Sequence, residues 1–371
     1  MRFVGKAWLP KAAIYLAALG IGIGLAQMTA APPLPDSALA EQPGPRASHA
    51  NEPVAEPGPA PAEPHPAPLE ALPAPSTGIA PLPPVEAPVA ELDLSAGARS
   101  AGAAFQDGMI ITGSTPHRLI LFSFDDGPDT VSTPLLLDRL DDVGIKAVFF
   151  LIASRIAGAT PIERRQAVIA REIARRGHLV GGHTLDHVQL PLLDDTAATF
   201  QLTRSEEIFE SVFGSRPFII RPPFGAHSQR IDQRLAARRY TSVLWNLGAG
   251  DFQVRTADEV YQLWLKVYER RERENGDRGG IILLHDTYPW SVDAFQRIVS
   301  HLMERNCELL ERGEELFDIV DDLSFFYVPR GDAPAETEAP RAELPPELLA
   351  ERQRVLRERT ARRCKSLARA W

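Results

Sequence analysis

The chain is expected to fold as an α/β domain whose parallel sheet curls into a barrel or near-barrel. Three observations predict this. From about His117 onward, short apolar runs alternate with stretches whose apolar residues recur at helical spacing. The helical stretches open on capping residues and close on glycine. The unusual polar residues fall one after another just past the apolar runs, where parallel α/β domains carry their sites.

Leu119–Phe124 is the first strand and ends in Asp125-Asp126-Gly127-Pro128. Thr133-Pro134 then supplies an N-cap followed by proline at the first helical position, with Leu136, Leu137, Leu140 and Val143 on one face and Gly144 as the stop. Ile145–Ile152 reads as the next strand. Thr160-Pro161-Ile162-Glu163 is a capping box that opens a helix through Arg176, closed by Gly177. His178–Gly182 is extended, and a helix follows from Asp195 to Phe213. Phe218–Ile220 and Tyr240–Trp245 read as strands on either side of a helix at Ser228–Arg238. Thr256 and Glu259 cap another helix, whose face carries Val260, Leu263, Trp264 and Val267. Gly280–Leu284 is a further strand and Val292–Met303 a further helix. Six or seven βα units suit a barrel better than a sandwich.

The flanks differ in kind. Arg2, Lys6 and Lys11 precede an uncharged run from Ala12 to about Met28, with Gly24-Leu25-Ala26 as a small-x-small cleavage site. Residues 1–29 therefore read as a signal peptide or an N-terminal membrane anchor, and the protein as exported, to the periplasm or beyond the cell, secreted or held at the inner membrane. More than half of the 33 prolines lie between Pro32 and Pro88. Residues 30–116 read as a disordered Pro/Ala-rich linker, 117–328 as the folded domain, and 329–371 as a charged tail, solvated and without assigned chemistry. A net charge of −9 argues against a nucleic-acid partner. Cys307 and Cys364 have no metal-type or redox-type spacing and indicate neither a disulfide framework nor a thiolate zinc site.

At the strand ends, the adjacent carboxylates of Asp125 and Asp126 need a cation or an arginine beside them. His183 and His187, four residues apart, would put two imidazoles on one helical turn, able to reach one ion. With Asp126 they would complete a two-histidine, one-carboxylate metal set with open positions. Arg221, before Pro222-Pro223, is the arginine that a second, non-ligating carboxylate would need. Asp251 and His285 follow the last two predicted strands of the series. Each residue has a bland alternative: a surface charge, an Asx turn, a core histidine. Five such coincidences at successive strand ends favour a common site.

Assembled, the segment from His117 to Val328 resembles the polysaccharide deacetylases, carbohydrate esterase family four. Ser123-Phe124-Asp125-Asp126-Gly127-Pro128, His183-Thr184-Leu185-Asp186-His187, Arg221-Pro222-Pro223-Phe224-Gly225 and Leu283-Leu284-His285 match its motifs in family order. The fourth motif is loosest, with Trp245-Asn246 and then Asp251-Phe252. The resemblance implies a distorted (β/α) barrel, usually of seven units, that removes acetyl groups from N-acetylated sugars of a polysaccharide or oligosaccharide. It implies that Asp126, His183 and His187 hold a divalent metal, most often zinc. Asp125 would be the general base oriented by Arg221, and His285 the general acid paired with Asp251. The Phe224 N–H would help bind the oxyanion, while Phe252 and Leu283 line the acetyl-methyl pocket.

Phe224 stands where tyrosine is commoner, and Phe252 where tryptophan is usual; neither change removes a catalytic group. Two rivals are an O-acetyl esterase acting on xylan or another glycan, and a tethered glycan-binding module without activity. The second should have lost Asp125 or His285, and both are present. An Asp-x-Asp phosphatase has the wrong carboxylate spacing and lacks a Gly-rich phosphate loop.

Overall fold

The computed structural model describes residues 110–327 and 341–367. The expected export segment and all but the last residues of the expected linker lie outside the described residues. Among the described residues no helix is long and apolar enough to cross a membrane.

The centre of the sheet is β2 (Leu119–Asp125), with all seven residues buried, as a strand covered on both faces requires. It is flanked by β3 (Val148–Leu151) and β8 (Gly280–His285). The full order is β1-β6-β5-β4-β3-β2-β8-β7, with β9 (Asp318–Ile319) pairing β2 as well. The remaining strands are β1 (Ile110–Ile111), β4 (Leu179–Gly182), β5 (Ile219–Ile220), β6 (Thr241–Val243) and β7 (Leu247–Gly248). Every pairing is parallel. The path ends at β1 on one side and β7 on the other, so the curled sheet is an open, distorted (β/α) barrel.

Period-two alternation sorts each strand. Ile120, Phe122 and Phe124 face outward into the larger core with Phe149, Ile282 and Leu284. There they meet α1 (Ser132–Val143), α2 (Pro161–Arg175), α5 (Ala257–Asn275) and α6 (Pro289–Glu311) through residues such as Leu140, Ile173, Trp264 and Phe295. Leu119 and Leu121 face inward with Val148, Phe150, Val243 and Ile281. The same inward phase carries Ser123 and Asp125 on β2, and Leu283 and His285 on β8. The polar residues thus occupy the C-terminal layer of the barrel interior, above an apolar floor. The helices α3 (Asp195–Phe213) and α4 (Gln229–Ala237) cover the other flank. Six βα units are present among the described residues.

Several expectations need correction. The sheet starts at Ile110, ahead of His117, because β1 pairs with β6. Thr133 is not an N-cap: helix α1 begins at Ser132, and the Thr133 hydroxyl serves the Asp129 N–H instead. The capping boxes fare differently from each other. Thr160 and Glu163 bond reciprocally, whereas the Thr256 hydroxyl accepts from Glu259 N–H while the Glu259 carboxylate reaches Arg255 N–H.

The C-terminal segment departs furthest from its expectation as a solvated tail. Helix α7 (Pro346–Leu367) docks on the barrel. Gln353 bonds the backbone of Leu316 through both amide atoms, Arg352 pairs with Asp318 at 2.6 Å, and Arg357 caps carbonyls at the end of α6. Cys307 of α6 and Cys364 of α7, 57 residues apart, form a disulfide, contrary to the sequence expectation. Local spacing carries no signal for a bridge between two helices. Closing a loop of this length constrains the unfolded chain, so Cys307→Ser combined with Cys364→Ser should lower unfolding free energy by about 2–4 kcal/mol. Denaturant midpoints of wild type and double variant, with m-values compared, check this.

Candidate active site

Register brings the site together. Asp125 lies opposite His285 across β2 and β8, and Gly182, just before His183, lies opposite Ile220, just before Arg221. The chain then does something different with the two adjacent acids. Asp125 is the last strand residue and keeps the inward phase. Asp126 turns out of the strand with φ 72, ahead of a cis Gly127-Pro128 bond. One residue of turn therefore sends two neighbouring carboxylates to different partners.

Asp125 goes to Arg221, whose Nη1 donates to Asp125 Oδ1 at 2.6 Å and to Ser123 Oγ at 2.9 Å. Arg221 is fully buried. Its Nε donates to Val243 O and its Nη2 to Leu244 O, while its guanidinium lies 4.2 Å from the Phe150 ring centroid. Burial pushes the Arg221 pKa down and the Asp125 carboxylate opposes that push; an arginine so paired stays cationic. Gly181 makes room for this stack, since a Cβ there would press on the Phe150 ring and Ile219.

Asp126 goes to the histidines. Its Oδ1 lies 3.4 Å from His183 Nε2 and 3.3 Å from His187 Nε2. Burial pushes its carboxyl up, but the imidazoles of His183, His285 and His187 outweigh that and hold it at about 2. His183 Nδ1 lies 2.6 Å from Arg221 O; a carbonyl only accepts, so Nδ1 carries a hydrogen and Nε2 is the basic nitrogen. Burial likewise pushes His187 down, towards the neutral form. The two imidazoles do not share a helical turn, as their spacing suggested. Residues 183–187 form a turn in which Thr184 and His187 both have positive φ, and His187 N–H bonds Thr184 Oγ1.

Asp126 Oδ1 is buried and accepts no hydrogen bond. An anionic oxygen and two imidazole nitrogens, all within 4.8 Å of one another, thus converge on a point with no donor to satisfy them. That set fits a divalent cation with open positions, and zinc suits its donor types.

Across the site, His285 Nδ1 lies 2.8 Å from Asp251 Oδ1, and its Nε2 points towards Asp126 Oδ2 at 3.9 Å. Burial opposes a charge on His285, but the hydrogen bond and charge of Asp251, with Asp125 and Asp126 behind, raise it to about 9. Asp251 is fixed by three further bonds, from His285 N–H, Ser291 Oγ and Trp290 Nε1. Phe224, with φ 63, is exposed, and its ring lies 4.7 Å from His187. Its N–H has no hydrogen-bond partner among the described residues, while those of Gly225 and Ala226 are taken. Phe252 is exposed with its ring 6.0 Å from His285, and Leu283 is buried beneath the histidine.

All ten residues expected from the sequence thus fall at the C-terminal ends of the strands or in the loops that follow. Missed were Ser291 and Trp290, which hold Asp251, and Tyr288, stacked on Trp290 at 5.0 Å. The signal for them was the stretch Tyr288-Pro289-Trp290, one residue beyond His285-Asp286.

Comparison with known proteins finds similar sequences and structures. Residues 112–243 match the family model described as polysaccharide deacetylase. A peptidoglycan-N-acetylglucosamine deacetylase of Bacillus cereus is 29% identical over 195 residues, covering 52% of this chain and 66% of that protein. A chitin deacetylase of Arthroderma benhamiae is 26% identical over 214 residues, covering 57% and 55%. Among solved structures, the chitin deacetylase of Colletotrichum lindemuthianum matches at 23% identity and a TM-score of 0.48, covering 60% of this chain and 97% of that one. The chain thus spans 66% or less of the length of these curated relatives. Residues 112–243 are thus similar to a polysaccharide deacetylase domain.

Proposed function

We propose that this protein is a metal-dependent hydrolase that removes acetyl groups from N-acetylated sugars of an extracytoplasmic polysaccharide. The observation that carries the reading is the division of Asp125 and Asp126 between Arg221 and the histidine pair, with His285 and Asp251 facing them. Asp126, His183 and His187 would hold the cation, most often zinc in this family. When bound, such an ion supplies Lewis acidity to the attacking water and to the acetyl carbonyl.

The chain's own residues do the rest. Arg221 occupies Asp125 Oδ1 and leaves Oδ2 to take the proton of the attacking water as its oxygen bonds the acetyl carbon. The Phe224 N–H is a free donor for the oxyanion; one such donor can contribute about 3 kcal/mol. The amide nitrogen leaves only after protonation, and His285, kept cationic by Asp251, delivers that proton from Nε2. The C–N bond then breaks, releasing acetate and a free amino sugar. Phe252 and Leu283 would bound the space for the acetyl methyl group.

Outward placement of the domain accords with the Cys307–Cys364 bridge, since disulfides persist in oxidising compartments. Residues 1–29 would direct export or anchor the chain, and the residues from 30 up to the start of the sheet at Ile110 would space the domain from a membrane.

Acetate release from N-acetylated chito-oligosaccharide, peptidoglycan and acetylated xylan, followed by mass spectrometry, tests the reading. Expected is zinc-dependent deacetylation of an N-acetyl substrate. Release from xylan alone would make the protein an O-acetyl esterase, and carbohydrate binding without acetate release would make it a binding module.

A further inference from the structure

Asp286 follows His285 and has no part in the chemistry above, yet it is fully buried. Its Oδ2 accepts the Thr133 hydroxyl at 2.5 Å, and Thr133 Oγ1 in turn accepts the Asp129 N–H at 2.7 Å. Its Oδ1 is buried with no hydrogen-bond partner. Both carboxyl oxygens press on Gly127, where any Cβ would overlap them. Gly127 is the residue after Asp126, so Asp286 lies against the turn that carries the metal-facing carboxylate.

The other ties on that turn are also buried or half-buried. Ile152 N–H donates to Gly127 O at 3.2 Å and Gln166 Nε2 to Pro128 O at 2.7 Å. Asp126 itself holds a φ of 72, a backbone conformation that a non-glycine residue keeps only where its surroundings enforce it. Asp286 closes the one side of the turn that faces β8. Through Thr133 it also links the start of α1 to the strand end that carries His285.

We infer that Asp286 is a positioning residue: its carboxyl, fastened by Thr133 and packed on Gly127, braces the turn so that Asp126 meets His183 and His187. The inference rests on the metal-site reading above. No ion pair to Asp286 exists among the described residues, so shape and a single hydrogen bond, rather than charge, do the bracing. Burial, only partly offset by the Thr133 hydrogen bond, pushes its pKa up to about 7, in keeping with a group that gains little from ionising there. An asparagine would keep the planar shape and an oxygen for the Thr133 hydroxyl; an alanine would keep neither.

The test uses the full chain, with zinc affinity measured by competition against a chromophoric chelator and the d–d absorption of the cobalt-substituted protein recorded. Asp286→Asn should stay within about threefold of wild type in zinc affinity, with an unchanged cobalt spectrum. Asp286→Ala and Thr133→Val should weaken zinc binding about tenfold or more, the range expected when the supports of metal ligands are removed, and shift the cobalt bands. If Asp286→Ala does not fold, the comparison of Thr133→Val with Asp286→Asn decides. Wild-type affinity and spectrum in the alanine and valine variants would overturn the inference alone, as would an asparagine variant as weak as the alanine one. Wild-type protein that binds no zinc would overturn the proposed function and this inference together.

Discussion

Asp126→Ala, His183→Ala or His187→Ala is expected to abolish both divalent-metal binding and acetate release. The three ligand atoms lie within 4.8 Å of one another, and the other ionisable groups nearby are committed elsewhere: Asp125 to Arg221 and His285 to Asp251. No spare donor can replace a lost ligand. The loss in affinity should exceed the roughly 10–100-fold typical of changes to the groups that merely support ligands. Asp126→Ala has a second consequence. It removes the anion that partly offsets burial at His187, so that imidazole should become easier to deprotonate. Equilibrium dialysis with zinc, alongside acetate release at saturating substrate, checks the first effect. Full activity in metal-free wild-type protein would refute the whole scheme. Cation binding retained by all three variants would move the metal site elsewhere.

How much of this was legible in the sequence depended on the range over which each feature is determined. The core strands and helices were legible because apolar runs and caps are local. Leu119–Phe124 is an unbroken apolar run but for Ser123, as a strand buried on both faces is, and Thr160 with Glu163 forms the full capping box its sequence encodes. The division of labour between Asp125 and Asp126 was legible only with the distant residues that receive them. What failed were features decided by tertiary contact. β7 and β9 have two residues each, too few for periodicity to register. The histidine pair reaches one point through a turn with positive φ at Thr184 and His187, which no spacing rule predicts for non-glycine residues. Helix α7 reads as solvated because its charges dominate its composition, but a few residues on one side, Arg352, Gln353, Arg357 and Cys364, anchor it. Asp286 reads as an ordinary acid after a histidine, and only its burial against Gly127 marks it out.

Asp125→Asn should separate metal binding from turnover. Asparagine preserves the volume of the side chain and an oxygen for Arg221 Nη1, now 2.6 Å from Asp125 Oδ1, so the barrel and the three metal-facing residues keep their places. What it cannot do is accept a proton from water, and loss of a positioned general base costs about 10²–10⁴ in rate. The expected result is zinc affinity near wild type with kcat down by about that factor and KM little changed. A buried arginine left facing a neutral amide complicates the variant, because an uncompensated buried charge is itself destabilising by about 3–5 kcal/mol. A thermal melt must therefore accompany the kinetics. If the variant is folded, binds zinc and hydrolyses as fast as wild type, Asp125 is not the base and the pairing with Arg221 is structural. If it is folded and turnover falls while zinc stays, the two adjacent carboxylates at the end of β2 have the separate duties that the turn at Asp126 imposes on them.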